Sequence, residues 1–118
     1  MRKAVQWHWR HMALLARCWP EYFALRVEAC RELAEALGDD HDLAVLMEVV
    51  HRHADEAIRS KAEAAVKLRQ RELRGEAYAL AERLFAEPPG AFRRRMACYW
   101  TAKRQLGANA GQVPANSD

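Results

Sequence analysis

Residues that interrupt helices are scarce in this chain. Its 118 residues include only five glycines and four prolines, while alanine, leucine, arginine and glutamate dominate. That composition favours helix almost everywhere. No apolar run approaches the ~20 residues that a membrane span needs, and no alternating pattern predicts a strand. We therefore predict an all-α fold, an antiparallel bundle of about four to five helices joined by short loops.

Cysteine is equally scarce, and its spacing excludes two kinds of small stabilised domain. Cys18, Cys30 and Cys98 are odd in number and contain no C-x-x-C pair. This pattern is typical neither of a disulfide framework nor of a zinc finger. The first twelve residues, MRKAVQWHWRHM, do not have the apolar core of a signal peptide. We expect reduced thiols that fill the core and a cytoplasmic location.

The residues needed for common catalytic sites are also missing. Ser60 and Ser117 are the two serines, no serine–histidine–acid set is apparent, and no glycine-rich phosphate loop precedes a helix. His8 and His11 lie one helical turn apart, a spacing that holds zinc only if further ligands arrive from elsewhere. We predict that the chain is not an enzyme, and we expect neither a metal nor a cofactor.

Apolar periodicity places the helices along the chain. The stripe at Val5, Trp9, Met12 and Ala16 predicts a first helix, and Pro20 is well placed to open the next. EPPG at residues 87–90 separates the last two helices. The predicted helices span 2–18, 21–37, 40–53, 55–86 and 91–106. Together they form one domain over residues 1–106, and residues 107–118 are predicted to be a disordered tail.

One acidic stretch, LGDDHDLAVL at residues 37–46, is open to two interpretations. Gly38 is a natural residue to end a helix, and Asp39 or Asp40 would then cap the helix that follows. A metal site would need ligands that converge from elsewhere in the fold. We favour the cap, with Asp42 in the first turn of the new helix.

Basic residues are unevenly distributed and form rows. Residues 1–60 have a net charge of −2, whereas residues 61–118 have a net charge of +5. Lys3, Arg10 and Arg17 recur every seven residues on the first helix. A second row on the long helix consists of Lys67, Arg71 and Arg74, and the last helix begins with FRRRM. Rows that face one groove would repel each other unless an anion lies between them. The alternative is that each row is a solvated face balanced by nearby glutamates.

Four stretches resemble the CHAD (conserved histidine α-helical) domain family. They are RKAVQWHWRHMALL at 2–15, LGDDHDLAVL at 37–46, ERLFAEPPGAF at 82–92 and RRRMACYWTAKR at 93–104. They occur in the family's order over about residues 2–106. The family's domain contains two helical repeats, and this chain resembles only the C-terminal repeat. Gln6 stands where the family commonly has lysine, and Arg10 where it commonly has an aromatic residue.

The resemblance implies a module that binds inorganic polyphosphate, and an association with polyphosphate granules. It also implies an interpretation of the Asp-rich stretch as part of the fold signature. Positions matched to the family imply anion contacts at Arg2, Lys3, His11, Arg71, Arg94 and Arg104. The rows alone add Arg10, Lys67 and Arg74.

A single repeat predicts a partner, either a second copy of the chain or a separate N-terminal repeat. We expect no membrane partner and no nucleic acid. The main alternative is a structural or interaction bundle, a degenerate half domain without a ligand.

Overall fold

Four α-helices and one short 3₁₀ turn make up the fold. The computed structural model describes residues 1–111, and this part of the chain contains no β-strand. The helices are α1 (Arg2–Leu15), α2 (Pro20–His53), α3 (Glu56–Leu84) and α4 (Pro89–Gly111), and the 3₁₀ turn covers Ala16–Cys18. The prediction of an all-α bundle is confirmed.

Local sequence signals explain where three of the helices begin and end. Pro20 occupies the first turn of α2, where its missing N–H is no loss. Ala54 has an extended backbone that ends α2, and Asp55 caps α3 by accepting a 2.9 Å hydrogen bond from the backbone N–H of Ile58. The two prolines of EPPG separate α3 from α4, and Pro89 is the first residue of α4.

The hydrophobic core lies along the longest helix, α2. Phe23, Cys30 and Leu33 of α2 are almost completely buried. Val5 and Met12 cover them from α1, while the buried residues Leu73, Ala77 and Leu84 cover them from α3 and Met96 from α4. Val5 and Met12 belong to the stripe predicted for the first helix, and the buried residues of α2 also follow helical spacing. α2 is therefore the helix against which the others pack.

The break predicted at Gly38 is wrong. α2 runs without interruption through Gly38 and the aspartates, and no glycine among the described residues has a positive φ. Asp39 and Asp40 are therefore mid-helix residues rather than caps. A glycine inside a helix costs about 1 kcal/mol relative to alanine. Burial of Ala36 before the glycine, together with the contacts of Asp40 after it, outweighs that cost.

The last helix extends further than predicted. α4 continues to Gly111, five residues past the predicted end at residue 106. The rest of the predicted tail, residues 112–118, lies outside the described residues.

The molecule is elongated, because the second half of α2 and the first half of α3 project beyond the other helices. Its dimensions are 82 × 26 × 19 Å, and its radius of gyration is 22.0 Å. A compact domain of this length has a radius of gyration of roughly 13–14 Å. The projecting part is a two-helix hairpin that ends at Ala54 and Asp55.

The continuity of α2 makes a prediction for Gly38→Ala. A Cβ at this position meets no atom within 4 Å, and the backbone is helical. The substitution should raise the free energy of unfolding by about 0.5–1 kcal/mol, measured by urea denaturation. Gly75→Ala in α3 is the matched control and should behave alike, since its Cβ also meets nothing within 4 Å. Destabilisation by Gly38→Ala alone would show that the helix breaks there.

Candidate functional site

An arginine joins the four helices at one point. Arg26 of α2 donates a 2.8 Å hydrogen bond from its guanidinium to the backbone carbonyl of Leu84, the last residue of α3. The same guanidinium lies 3.4 Å from the Met12 sulfur of α1 and packs over the Phe92 ring of α4, 4.6 Å from its centroid. Arg26 thereby satisfies a carbonyl that the end of α3 leaves without a helical partner.

His8 belongs to the same junction. Its Nε2 lies 3.5 Å from Arg26, and its ring packs edge-on against Phe85, with 5.0 Å between ring centroids. Burial lowers the pKa of His8 below its ordinary value of 6.5, and the charges of Arg26 and His11 lower it further. The neutral ring can accept the hydrogen bond from Arg26, so His8 has a structural role in this junction.

A second arginine holds the start of α4 against the start of α2. Arg95 forms an ion pair with Glu87 at 2.9 Å and donates hydrogen bonds to the hydroxyls of Tyr22 and Tyr99. The hydrogen bond to Glu87 raises the pKa of Arg95 and lowers that of the carboxyl group. Trp19 stacks on Tyr22 beside this cluster. Arg95 is thus already occupied by an acid and two phenols.

Three basic residues form one continuous row on α3. Lys67, Arg71 and Arg74, together with Gln70, line a shallow depression of 270 Å³. We call Lys67, Arg71 and Arg74 the basic row. Gln70 donates a hydrogen bond to the backbone carbonyl of Asp40, and Arg74 forms an ion pair with the Asp40 carboxylate at 3.1 Å. These two contacts fix the depression against α2.

The basic row has two acidic neighbours. Lys67 forms an ion pair with Glu63 at 2.8 Å, and its hydrogen bond lowers the pKa of that carboxyl group. The side chains of Lys67 and Arg74 remain 69% and 65% exposed. Exposed ion pairs contribute about 0–1 kcal/mol, so a polyvalent anion can replace these partners. In the described part of the chain, Arg71 forms no ion pair.

The basic row lies on the same side of the α2–α3 hairpin as α1. Arg26 contacts α1, and Asp40 follows it by fourteen residues, close to four helical turns. The side chains of Arg26 and Asp40 therefore share one face of α2, about 21 Å apart along the axis. Because Arg74 reaches α2 at Asp40, the basic row is on that face too. We call this the α1 side of the hairpin.

The predicted residues of α1 occupy two different places. α1 runs antiparallel to α2, with Met12 and His8 beside Arg26, so its first turn lies closer to Asp40. Arg2 and Lys3 are in that turn, which points along α2 towards the basic row. Arg10 instead covers the exposed Trp7 ring, 5.6 Å from its centroid, and the His11 ring lies 6.0 Å from the same tryptophan.

The predicted residues of α4 are not brought to the basic row. α4 passes Tyr22 at Arg95 and reaches the 3₁₀ turn, where Lys103 donates a hydrogen bond to the Arg17 carbonyl. Tyr22 is eighteen residues from Asp40, about 27 Å along α2. Arg94 and Arg104 are exposed at this opposite end. The structure therefore separates the nine predicted residues into several groups, and one trough does not contain them all.

The opposite side of the hairpin is acidic. A groove of 450 Å³ between α2 and α3 is lined by four carboxylates and two arginines: Glu32, Glu35, Asp39, Glu76, Arg69 and Arg83. Arg69 and Arg71 are two residues apart and so point to different sides of α3. We call this the acidic groove, and its side of the hairpin the outer side. The hairpin thus has one basic and one acidic side.

Two kinds of site are not found among the described residues. In residues 1–111, no three His, Cys, Asp or Glu side chains are close enough to hold a metal ion together. No helix in the same part of the chain combines the length and the apolar character needed to cross a membrane.

Comparison with known proteins finds a family model that matches the first part of the chain. The family model of the CHAD domain matches residues 1–51. The match covers less than half of the chain and is consistent with a partial CHAD domain. The resemblance predicted from the sequence is confirmed over this stretch, which covers α1 and nearly all of α2. Neither a curated protein nor a solved structure matches the chain.

The CHAD match includes four of the nine predicted anion contacts. Arg2, Lys3, Arg10 and His11 lie within it, whereas the basic row and α4 lie beyond residue 51. The predicted resemblance of residues 82–104 stays a prediction. So does the assignment of the match to the C-terminal repeat.

Sequence reasoning missed Arg26 and Arg95. The signal was present in both cases as helical spacing. Arg26 is three residues after Phe23 and four before Cys30, which are buried residues of α2. Arg95 is three residues after Phe92 and four before Tyr99, whereas its neighbour Arg94 is turned by about 100°. In this chain, a basic residue that lies three or four positions from buried apolar residues of the same helix has a structural role.

The burial of His8 makes folding depend on pH. Because its pKa is lowered in the folded state, the unfolded chain binds the proton more tightly. Stability should fall as the pH decreases through 6.5 towards the folded-state pKa, and this loss should level off below it. His8→Gln should flatten that dependence in thermal melts recorded from pH 7.5 to 5, whereas the exposed His53→Gln should not. Equal slopes in wild type and His8→Gln would contradict the structural role of His8.

Proposed function

We propose that this chain is a non-enzymatic module that binds inorganic polyphosphate on the α1 side of the hairpin. The single observation that carries the proposal is that two separate basic segments lie on this one side. They are the basic row of α3 and the first turn of α1. The CHAD match supports the choice of ligand, since that family is known for binding polyphosphate. A cytoplasmic location and an association with polyphosphate granules belong to the same proposal.

Chemistry explains why these segments suit a phosphate polymer. Arg71 and Arg74 offer planar guanidinium groups that bond two phosphate oxygens at once, and Lys67 adds a point charge. The first turn of α1 adds Arg2, Lys3 and unpaired backbone N–H groups at the positive end of the helix dipole. All these groups donate hydrogen bonds and carry full or partial positive charge, and none distinguishes one stereoisomer of a ligand from another. Successive phosphates of a flexible polymer can therefore bind to successive groups.

The remaining predicted residues have a lesser part in this proposal. Arg10 and His11 lie further along α1, beside Trp7, and extend the basic surface away from the row. Arg94 and Arg104 can contact the polymer only where it continues towards the other end of the bundle. The core of the site is therefore Lys67, Arg71 and Arg74 with the first turn of α1.

A pairing of two half domains completes the proposal. A second copy of the chain, or a separate N-terminal repeat, would place further basic groups across from the first set. The long hairpin supports this, because within residues 1–111 the helices α1 and α4 pack near Arg26, far from the tip of the hairpin.

One observation favours the alternative, a structural or interaction bundle without a ligand. Lys67 and Arg74 already have acidic neighbours in Glu63 and Asp40. If those pairs satisfy the row, it is a solvated face. Binding of long-chain polyphosphate at low salt distinguishes the two functions, since the alternative predicts none.

The test of the proposal is a double charge reversal with a matched control. Arg71→Glu with Arg74→Glu should weaken polyphosphate binding at least about 100-fold, because two charge-assisted bonds contribute roughly 1.5–3 kcal/mol each. Arg69→Glu with Arg83→Glu makes the same change of charge on the outer side and should weaken binding far less. Isothermal titration with long-chain polyphosphate at low salt measures both, and circular dichroism checks helicity.

Salt dependence provides a second readout of the same experiment. Wild-type affinity should fall steeply as salt rises, since neutralising a polyanion releases its counterions. The slope should be shallower for the Arg71→Glu, Arg74→Glu variant than for the outer-side control. Equal loss of binding in the two variants would mean that net charge, and not the basic row, determines binding.

A further inference from the structure

Two carboxylates share the α1 side of the hairpin with the basic row. Glu63 lies one turn before Lys67 on α3 and forms an ion pair with it at 2.8 Å. Asp40 of α2 lies across from Arg74 and forms an ion pair with it at 3.1 Å. Arg71 lies between these two pairs and forms no ion pair within residues 1–111. Two of the three cations of the row therefore already hold an anion of the chain itself.

We propose that Glu63 and Asp40 act as internal competitors of polyphosphate, which weaken its binding to the basic row. This inference rests on the proposed function and concerns how strongly the same site binds. A phosphate group that bonds Lys67 or Arg74 takes the place of a carboxylate. The free energy gained from the new charge-assisted bond is therefore reduced by the loss of an existing ion pair. The row binds the polymer less tightly than three unpaired cations would.

The two carboxylates differ in how easily they can leave the row. The side chain of Glu63 is 43% exposed, and a change of rotamer moves its carboxylate into solvent. The shorter side chain of Asp40 is only 21% exposed, and Gln70 of α3 donates a hydrogen bond to the backbone carbonyl of the same residue. Asp40 therefore stays beside Arg74 when a phosphate arrives, and its charge repels that phosphate. We expect Asp40 to weaken binding more than Glu63 does.

Arg71 is the first point of attachment under this competition. Its guanidinium is exposed, and a phosphate that binds it breaks no ion pair within residues 1–111. Once one phosphate is bound there, the neighbouring phosphates of the same polymer are held beside Lys67 and Arg74. They then compete with the carboxylates at a high effective concentration. A polymer can in this way bind a row whose other two cations are already paired.

Neutral variants of nearly the same shape test the inference. Asp40→Asn and Glu63→Gln each replace a carboxylate by an amide, whose oxygen can still accept a hydrogen bond. Combined, they should bind long-chain polyphosphate roughly three- to twentyfold more tightly than wild type, because each exposed ion pair that is lost changes an equilibrium by up to about fivefold. Asp40→Asn alone should account for most of this gain. Isothermal titration of the full chain at about 0.1 M salt, where charges more than about 10 Å apart are largely screened, measures the affinities.

The matched control removes two charges from the same two helices, away from the basic row. Glu35 of α2 is paired with Arg31 at 2.7 Å, and Glu72 of α3 is paired with Arg69 at 3.1 Å. Neither glutamate lines the depression beside the basic row. Glu35→Gln with Glu72→Gln therefore changes the net charge by the same amount without freeing a cation of the row. Its gain in affinity should be at most about twofold, because screening weakens the effect of distant charges.

Two results would overturn the inference. They are an unchanged affinity of the Asp40→Asn, Glu63→Gln variant and an equal gain in the control. Circular dichroism checks that each variant is folded. If wild type binds polyphosphate and the Arg71→Glu, Arg74→Glu variant does not, the proposed function stands, and an unchanged affinity contradicts the competition alone. Absence of binding to wild type and to every variant, at low salt as well, would contradict both.

Discussion

Packing against α2 is the constraint on which the rest of the structure depends. Each of the other helices meets this one: α1 at Met12 and His8, α3 at Leu84 and Gln70, and α4 at Phe92 and Arg95. Its length of 34 residues sets the length of the hairpin. A break in α2 would separate the arginine junction at Arg26 from the basic row at Asp40. Because α2 is continuous through Gly38, the arginine junction and the basic row keep a fixed position relative to each other.

The arginines of this chain divide into structural and solvated ones, and only their surroundings distinguish them. Arg26 and Arg95 contact backbone carbonyls, aromatic rings or phenols, and are at least partly buried. The arginines of the basic row are exposed; within residues 1–111, Arg74 has one ion pair and Arg71 has none. An anion can recruit the second kind without disturbing the fold. Binding and stability can therefore vary separately in this molecule.

Sequence reasoning predicted the helices and the stripes well, because both follow from local periodicity. Pro20 and the prolines of EPPG mark helix boundaries by removing backbone donors, an effect that needs no tertiary information. Gly38 misled the prediction because a glycine is a weak local signal, and packing of Ala36 and the contacts of Asp40 overrode it.

The side on which each basic residue lies was harder to predict. A row on one helix follows from spacing, so Lys67, Arg71 and Arg74 were found together. Their relation to Arg94 and Arg104 depends on how α4 crosses α2, and contacts between residues far apart in sequence determine that. The hydrogen bond from Arg26 to Leu84, which spans 58 positions, is one such contact. No local pattern encodes it.

The elongated shape has a consequence for how many molecules one polymer can hold. The basic row spans only eight residues of α3, about 10 Å along its axis, whereas the molecule is 82 Å long and 19 to 26 Å across. The length of polymer that each molecule occludes is thus set by its orientation and not by the contacts it makes. Molecules that lie parallel to the polyphosphate would each cover a long stretch of the polymer. Molecules that lie across it would each cover a short stretch, so that more of them could bind to one polymer.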